Sequence, residues 1–166
     1  VIVDRVAQSK LVVCTMPVLV CQQGARLVAV SASKLACISI EQGTFEESSL
    51  QCHANGGSLA VPTSATDLRQ LAGVCPDGEA LCRTGLHDPA SHQQYFSRAF
   101  SLYGFPHEGD FTPRNGSVRH QLCADVPHAV GVSTMLVRSN CSTARPAFCS
   151  APPSRCPPGR YAVYAK

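Results

Sequence analysis

Ten cysteines are the residues of this 166-residue chain with the widest range of possible chemistry. Thiolates bind zinc or act as nucleophiles, and paired thiols form disulfides. No Cys-x-x-Cys pair occurs, so the spacing of zinc ribbons and zinc fingers is absent. The even count, in a chain with three lysines and no tryptophan, favours a fully bridged framework made in an oxidising, extracellular setting. Bridged cysteines leave no thiolate for catalysis.

The other residue types that carry catalysis form no familiar pattern. The sequence lacks a Gly-x-Ser-x-Gly elbow, a His-Glu-x-x-His motif and a glycine-rich phosphate loop. The six histidines are scattered, with no pair four residues apart on a helix: His53, His87, His92, His107, His120 and His128. We therefore expect surface histidines, no metal or other cofactor, and no enzymatic activity.

Charge is unevenly distributed along the chain. Residues 111–166 hold seven basic groups and one acid, Asp125, which gives +6, whereas residues 1–110 hold seven basic and ten acidic groups, which gives −3. Such a chain can bind the opposite half of another copy or an anionic polysaccharide, or its arginines can simply be solvated. Nucleic acid is not expected, because no aromatic residues interleave with the cations. The candidate ligand- or partner-binding residues are Arg114, Arg119, Arg138, Glu108 and Asp110.

Two N-glycosylation sequons agree with an extracellular protein. Asn115 lies in Asn115-Gly116-Ser117, a turn-forming sequence that suits an acceptor. Asn140 precedes Cys141, and a bridged cysteine at that position can slow modification. Both asparagines are predicted acceptors, with Asn115 the better one.

Two helices are predicted in the middle of the chain. The first covers residues 44–52, where Thr44 and Glu47 have the spacing of a capping box and Gly56 can end the helix with a positive φ. The second begins at Ser64 and ends at Gly73.

Short apolar runs predict strands at both ends of the chain. They are Val1-Ile2-Val3, Leu11-Val12-Val13, Leu27-Val28-Ala29-Val30 and Tyr161-Ala162-Val163-Tyr164. The terminal runs either pair between copies or complete the chain's own sheet. Residues 151–159 predict an extended, polyproline-like exit. The most apolar run, residues 11–20, is about half the length of a membrane-spanning helix, so no membrane insertion is expected.

Several motifs follow one another in the order of a known family. They are the four cysteines Cys52, Cys123, Cys141 and Cys149, the step Gly56-Gly57-Ser58-Leu59-Ala60-Val61-Pro62, and the strand Arg83-Thr84-Gly85-Leu86-His87-Asp88. The strand is similar to the family's WIGL-x-Asp motif, with its first two positions changed. From about Cys37 to Cys149, the chain resembles the C-type lectin-like domain.

The resemblance implies two disulfides, Cys52 with Cys149 and Cys123 with Cys141. Cys75 and Cys82 flank a turn sequence and can close a local loop. The remaining four cysteines allow three pairings by sequence alone: Cys14, Cys21, Cys37 and Cys156. Long-form members of the family favour Cys21 with Cys37, which leaves Cys14 with Cys156.

The resemblance also places the family's calcium ligands, and this chain departs from them. Thr112-Pro113-Arg114 stands where the family has Glu-Pro-Asn or Gln-Pro-Asp, and Leu136-Val137-Arg138 stands where it has Trp-Asn-Asp. Calcium needs several oxygen ligands, which these residues do not supply. The nearby acids Glu108, Asp110 and Asp125 are expected to be solvated loop carboxylates.

Together these patterns predict an α+β fold of the C-type lectin-like class, with two short helices packed on small antiparallel sheets, a long loop and many disulfides. The expected organisation is a strand-rich extension over residues 1–36, the domain over 37–150, and a tail or the start of another module over 151–166. The expected function is that of a secreted or cell-surface structural or protein-interaction module, such as a protomer of a filament or coat. The alternative is a receptor module that binds carbohydrate or protein without calcium.

Overall fold

A computed structural model describes residues 3–6, 10–13, 19–31, 34–88, 111, 122–128, 135–155 and 163–164. The strands are β1 (Val3–Val6), β2 (Lys10–Val13), β3 (Leu19–Val20), β4 (Arg26–Ser31), β5 (Lys34–Gly43), β6 (Ser58–Leu59), β7 (Leu81–Asp88), β8 (Leu122–Pro127), β9 (Val137–Asn140), β10 (Arg145–Ala151), β11 (Ser154–Arg155) and β12 (Val163–Tyr164). The helices are α1 (Phe45–Ala54) and α2 (Ala65–Ala72). The fold is α+β, as predicted.

Local sequence accounts for the start and end of α1. The Glu47 backbone N–H donates to the Thr44 hydroxyl at 3.3 Å, and the Thr44 N–H donates to the Glu47 carboxylate at 2.9 Å. Hydrogen bonds from Thr44 hold the pKa of Glu47 below its ordinary value. The larger effect comes from the Thr44 backbone N–H and the smaller one from its hydroxyl. The helix ends just before Gly56, whose φ of 76° favours glycine.

The start of α2 also follows the prediction. Ser64 caps the helix by accepting a hydrogen bond from the Asp67 N–H at 3.1 Å. The buried Asp67 carboxylate accepts in turn from the backbone N–H and the hydroxyl of Thr63, at 2.8 and 2.7 Å. The chain before the helix is therefore fixed to its first turn.

A seven-stranded sheet is the centre of the described structure. Its strands run in the order β4-β5-β10-β7-β8-β9, and β6 also pairs with β10. All its pairs are antiparallel except β10 with β7, which is parallel, so the sheet is mixed where small antiparallel sheets were expected. β10, although late in the chain, lies in the middle of the sheet and joins its two halves.

The two faces of this sheet are covered by different helices. Successive strand residues point to opposite faces. Phe148 of β10 is fully buried in the larger core, together with Leu68 and Leu71 of α2. Its neighbours Ala147 and Cys149 belong to a second core with α1.

Four disulfides lie in the described part of the chain, and they are four of the five predicted pairs. They are Cys21–Cys37, Cys52–Cys149, Cys75–Cys82 and Cys123–Cys141. None of the described cysteines is free. Cys14 and Cys156 lie outside the described residues, so their pairing stays a prediction.

The terminal strands pair with one another inside the chain. β2 lies between β1 and β12, with Val163 opposite Val13. Of the two predicted uses of these strands, the structure therefore has the intramolecular one.

Where a polyproline-like exit was expected, β11 instead forms a short antiparallel pair with β3, because extended backbone beside a free strand edge can complete a ladder. β4 lies in the predicted extension over residues 1–36, yet it pairs with β5. The central sheet therefore includes residues on both sides of the predicted boundary at residue 37.

Gly85 lies where two segments of backbone approach closely. A Cβ at this position would be 2.7 Å from the carbonyl oxygen of Leu59 and 2.9 Å from a methyl group of Val61. The Gly85 N–H donates to the carbonyl of Ala60 at 2.7 Å. Glycine is therefore required by space, because the neighbouring atoms include backbone that is fixed by this hydrogen bond.

We expect Gly85→Ala to destabilise the domain by about 1–3 kcal/mol, since the added methyl group must push β7 away from residues 59–61. Gly73→Ala is the matched control. The nearest atom to its added methyl group would be 3.6 Å away, so no loss of stability is expected. Urea unfolding with the disulfides intact measures both changes. Equal stabilities of the two variants would contradict the steric argument.

Candidate binding surface beside β9

Arg138 is the predicted partner-binding residue that the structure describes. It lies half-buried on β9, with its guanidinium carbon 4.7 Å from the centre of the Phe111 ring. Phe111 is buried and forms an isolated parallel bridge with Leu136, which is fully buried. A cation over an aromatic face contributes about 0.5–2 kcal/mol, depending on its desolvation. The contact holds Phe111 against the start of β9.

The other predicted site residues lie outside the described part of the chain. They are Glu108, Asp110, Arg114, Arg119 and the sequon residue Asn115. Their roles stay predictions.

The position on β9 where the family has calcium ligands offers no oxygen cluster in this chain. Leu136 is apolar and fully buried, and Arg138 places a cation against Phe111. A fixed cation raises the energy of a divalent ion beside it. Within the described ranges, no three His, Cys, Asp or Glu side chains are grouped so that they could hold a metal ion. No helix in the same ranges is long and apolar enough to cross a membrane.

A buried arginine lies behind this surface. Arg83 of β7 is fully buried, and its Nε is 3.2 Å from the Asp125 carboxylate. The remaining acceptors belong to the end of β9 and the turn after it: they are the carbonyls of Asn140, Cys141 and Thr143, at 2.9, 3.0 and 2.7 Å, and the Ser139 hydroxyl, at 3.3 Å. One guanidinium therefore joins β7 and β8 to the turn between β9 and β10.

Asp125 is a structural counter-ion, which corrects its expected role as a solvated loop carboxylate. It lies on β8 with its side chain fully buried. Its second oxygen is 3.0 Å from Nε of Arg145, an ion pair that lacks hydrogen-bond alignment. Two guanidinium groups thus surround one carboxylate. A carboxylate neutralised in this way is not available to a metal ion.

Sequence reasoning missed this centre although a signal was present. Arg83 takes the first position of the strand motif, where the family has tryptophan, and Asp125 is the single acid of the basic region 111–166. A buried arginine needs a counter-ion and full hydrogen bonding. The two exceptions to the pattern are therefore each other's partners.

Asn140 lies exposed at the end of β9, next to the buried Cys141. Its side-chain oxygen accepts a hydrogen bond from the Ser142 N–H at 2.9 Å, while its own carbonyl is held by Arg83. The side chain is accessible, but its backbone is fixed by Arg83 and by the Cys123–Cys141 disulfide. Modification of Asn140 stays a prediction.

His87 differs from the surface histidines that were expected. Its ring lies 4.5 Å from the ring of Phe45, with an interplanar angle of 36°. The residue is half-buried and packs α1 against β7. His53, by contrast, is exposed.

These features define the class of protein. The Cys52–Cys149 disulfide joins α1 to β10, the strand in the middle of the sheet. A second disulfide, Cys123–Cys141, joins β8 to the residue that follows β9. This is the fold of a C-type lectin-like domain, as the motifs of the chain imply.

Solved structures show the same fold at low sequence identity. A calcium-independent type II antifreeze protein is 16% identical over 82% of this chain and 98% of its own, with a TM-score of 0.61. The mouse scavenger receptor C-type lectin carbohydrate-recognition domain is 15% identical over 82% of this chain and 100% of its own, with a TM-score of 0.57. Human lithostathine is 17% identical over 80% of this chain and 90% of its own, with a TM-score of 0.58. No protein-family model and no curated protein sequence matches the chain.

We expect Asp125→Asn to destabilise the domain by about 3–5 kcal/mol, because it leaves the buried Arg83 without a counter-charge. The matched control is Asp77→Asn, where a fully exposed carboxylate lies 3.7 Å from His128 and the loss of stability should be much smaller. Denaturant unfolding of both variants tests this. If Asp125→Asn is as mild as Asp77→Asn, the carbonyl oxygens alone are sufficient to hold Arg83.

Proposed function

We propose that this chain is an extracellular, non-catalytic module that binds other macromolecules, primarily proteins, without calcium. The proposed binding surface is the area around Arg138, whereas Glu108, Asp110, Arg114 and Arg119 stay predicted binding residues outside the described part of the chain. The observation that carries the proposal is the Arg138–Phe111 contact, which puts a cation on an aromatic ring at the position where the family has a calcium ligand. Arginine and aromatic residues are enriched at the centres of protein interfaces.

The use of the buried charges supports a non-catalytic role. Catalytic acids and bases need access to a substrate. Arg83 and Asp125 are instead fully buried and paired, and they serve to join strands. These two charges therefore stabilise the domain.

The fold neighbours support a binding role of some kind. One is named as an antagonist of a collagen receptor integrin, and it has a TM-score of 0.53 with this chain. Another was solved in complex with GlcNAc, with a TM-score of 0.58. Because the same fold serves different ligands, these neighbours support binding in general and do not identify the partner. The partner has to be inferred from the residues of the site.

The disulfides support an extracellular location. Four bridges lie in the described residues, and such bridges persist in oxidising compartments. The predicted sequons agree with this location.

If binding does not use calcium, a chelator should change neither stability nor binding. We expect less than about 1 °C difference in Tm between millimolar calcium and EDTA, since an ion that does not bind the native state cannot stabilise it. Arrays of extracellular proteins and of glycans, both probed in EDTA, identify the partner class. Arg138→Glu should weaken the protein hits, whereas Arg69→Glu, on the exposed side of α2, should not.

Each outcome of that experiment has a distinct meaning. Hits confined to glycans would favour the second candidate, a calcium-independent carbohydrate-binding module, for which the GlcNAc-bound neighbour is the specific support. A rise in Tm of several degrees with calcium, or binding that requires calcium, would overturn the proposal.

The finer proposal is that copies of the chain assemble into a filament or coat through their terminal strands. β1 and β12 are the outer strands of their sheet, and within the described residues each has a strand partner on one side only. An open strand edge is a template for another chain. The uneven charge, −3 over residues 1–110 and +6 over 111–166, supports a head-to-tail contact.

Fibres or sheets should therefore appear by electron microscopy at low ionic strength and disperse in about 1 M salt, where the screening length falls to ~3 Å. Deletion of residues 161–166 removes β12, one of the two outer edges, and should stop growth while the core stays folded. Particles that remain monomeric at low salt would contradict assembly. A truncated chain that assembles as well as the intact one would show that the tail is not the connector.

A further inference from the structure

The outer face of the β4–β5 hairpin is apolar and exposed. Ala29 is opposite Leu35 in the strand register and Leu27 is opposite Cys37, so these side chains share one face. Leu27 and Leu35 are 45% and 41% exposed, and they are two of the three large apolar residues that are exposed in the described part of the chain. Adjacent exposed apolar residues at a sheet edge mark an interaction surface more often than isolated ones do.

A groove of about 490 Å³ continues from this apolar face along β5. Its floor is formed by the outward residues of β5 and β10, including Ser39 and Glu41. Its walls are the turn at residues 22–25, Asn55 at the end of α1, and Pro152 before β11. The volume is in the range of sites that enclose a side chain or a small ligand.

Glu41 is the one ionisable side chain among the described residues that line the groove, apart from bridged cysteines. It is half-buried, and its Oε1 accepts a hydrogen bond from the Asn55 amide at 3.2 Å. Its Oε2 makes no hydrogen bond to a described residue. The groove therefore combines one partly desolvated negative charge with neutral polar walls. A single carboxylate is too few ligands for calcium, but it suits an organic cation.

We propose that this groove binds the cationic side chain of a protein partner, an arginine or lysine, and that the adjoining apolar face receives apolar residues of the same partner. Glu41 supplies the counter-charge, and Leu27 and Leu35 supply apolar contact. Leu35 and Glu41 are six residues apart on β5, or about 20 Å, so the partner presents apolar and basic groups at that separation. Arginine fits best, because its planar group can bond a carboxylate while its stem packs on apolar surface.

This surface adds a second contact to the proposed interaction module. It shares no residue with the Arg138 surface, and its test uses neither calcium nor Arg138. Either proposal can therefore fail without the other.

The test titrates N-acetyl-arginine amide into the folded, disulfide-intact protein and follows backbone amide shifts by NMR. N-acetyl-citrulline amide is the control ligand, because it has the same shape without the charge. We expect the arginine probe to shift residues 22–25, Ser39 and Asn55, with an affinity about fivefold above that of citrulline, the effect of one partly exposed ion pair. Glu41→Gln keeps an acceptor for Asn55 and should remove this preference.

Glu46→Gln removes an exposed charge from the first turn of α1, outside the groove lining, and should leave the preference unchanged. Equal affinity for the two probes would mean that the groove takes neutral polar ligands, and it would overturn the proposal. No shift at the groove residues, or a preference that survives Glu41→Gln, would overturn it as well. Shifts confined to other surfaces would show that the cation binds elsewhere.

Discussion

The part of the domain that contains β7, β8 and β9 depends on one buried cation, Arg83, and on the groups that bond to it. A guanidinium without water must bond all its donors and must have a counter-charge nearby, or its burial costs several kcal/mol. Arg83 meets this condition only if Asp125 and the carbonyls of residues 140, 141 and 143 converge on it. The shape of the turn between β9 and β10 is therefore determined from inside the domain. Phe111 is in turn held against β9 by Arg138, so the described part of the candidate surface is attached to a strand that this buried centre holds in place.

The features that sequence predicted well are local or covalent. The cap of α1 by Thr44, the start of α2 at Ser64 and the glycine after α1 depend on residues within one or two helical turns. The disulfides could be predicted from the order of the motifs, because a pairing is defined once its two cysteines are matched to positions of the family. Gly85 was predicted as a motif position, and the structure supplies its physical reason, the approach of the Leu59 carbonyl.

The features that sequence did not predict arise where distant segments meet. The burial of Asp125 depends on Arg83 and Arg145, which are far from it in sequence. β10 pairs in parallel with β7, and β3 pairs with β11. Neither pairing could be predicted, because short strands specify their partner strand only weakly. The groove beside Glu41 exists only because a turn, a helix end and the chain after β10 lie together. Of the five candidate partner-binding residues, Arg138 is the one whose surroundings are known.

The Cys52–Cys149 bridge has a mechanical consequence. If force is applied to the two ends of the chain, the first load falls on the hydrogen bonds between β2 and β12, because these strands join the ends to each other. If Cys14 and Cys156 are not bridged to each other, the force path then crosses the Cys52–Cys149 bridge and bypasses the 97-residue separation that it spans. Roughly 340 Å of potential extension is then withheld while the bridge stays oxidised. Under tension the domain would behave as a short, stiff element with a yielding sheet at its ends.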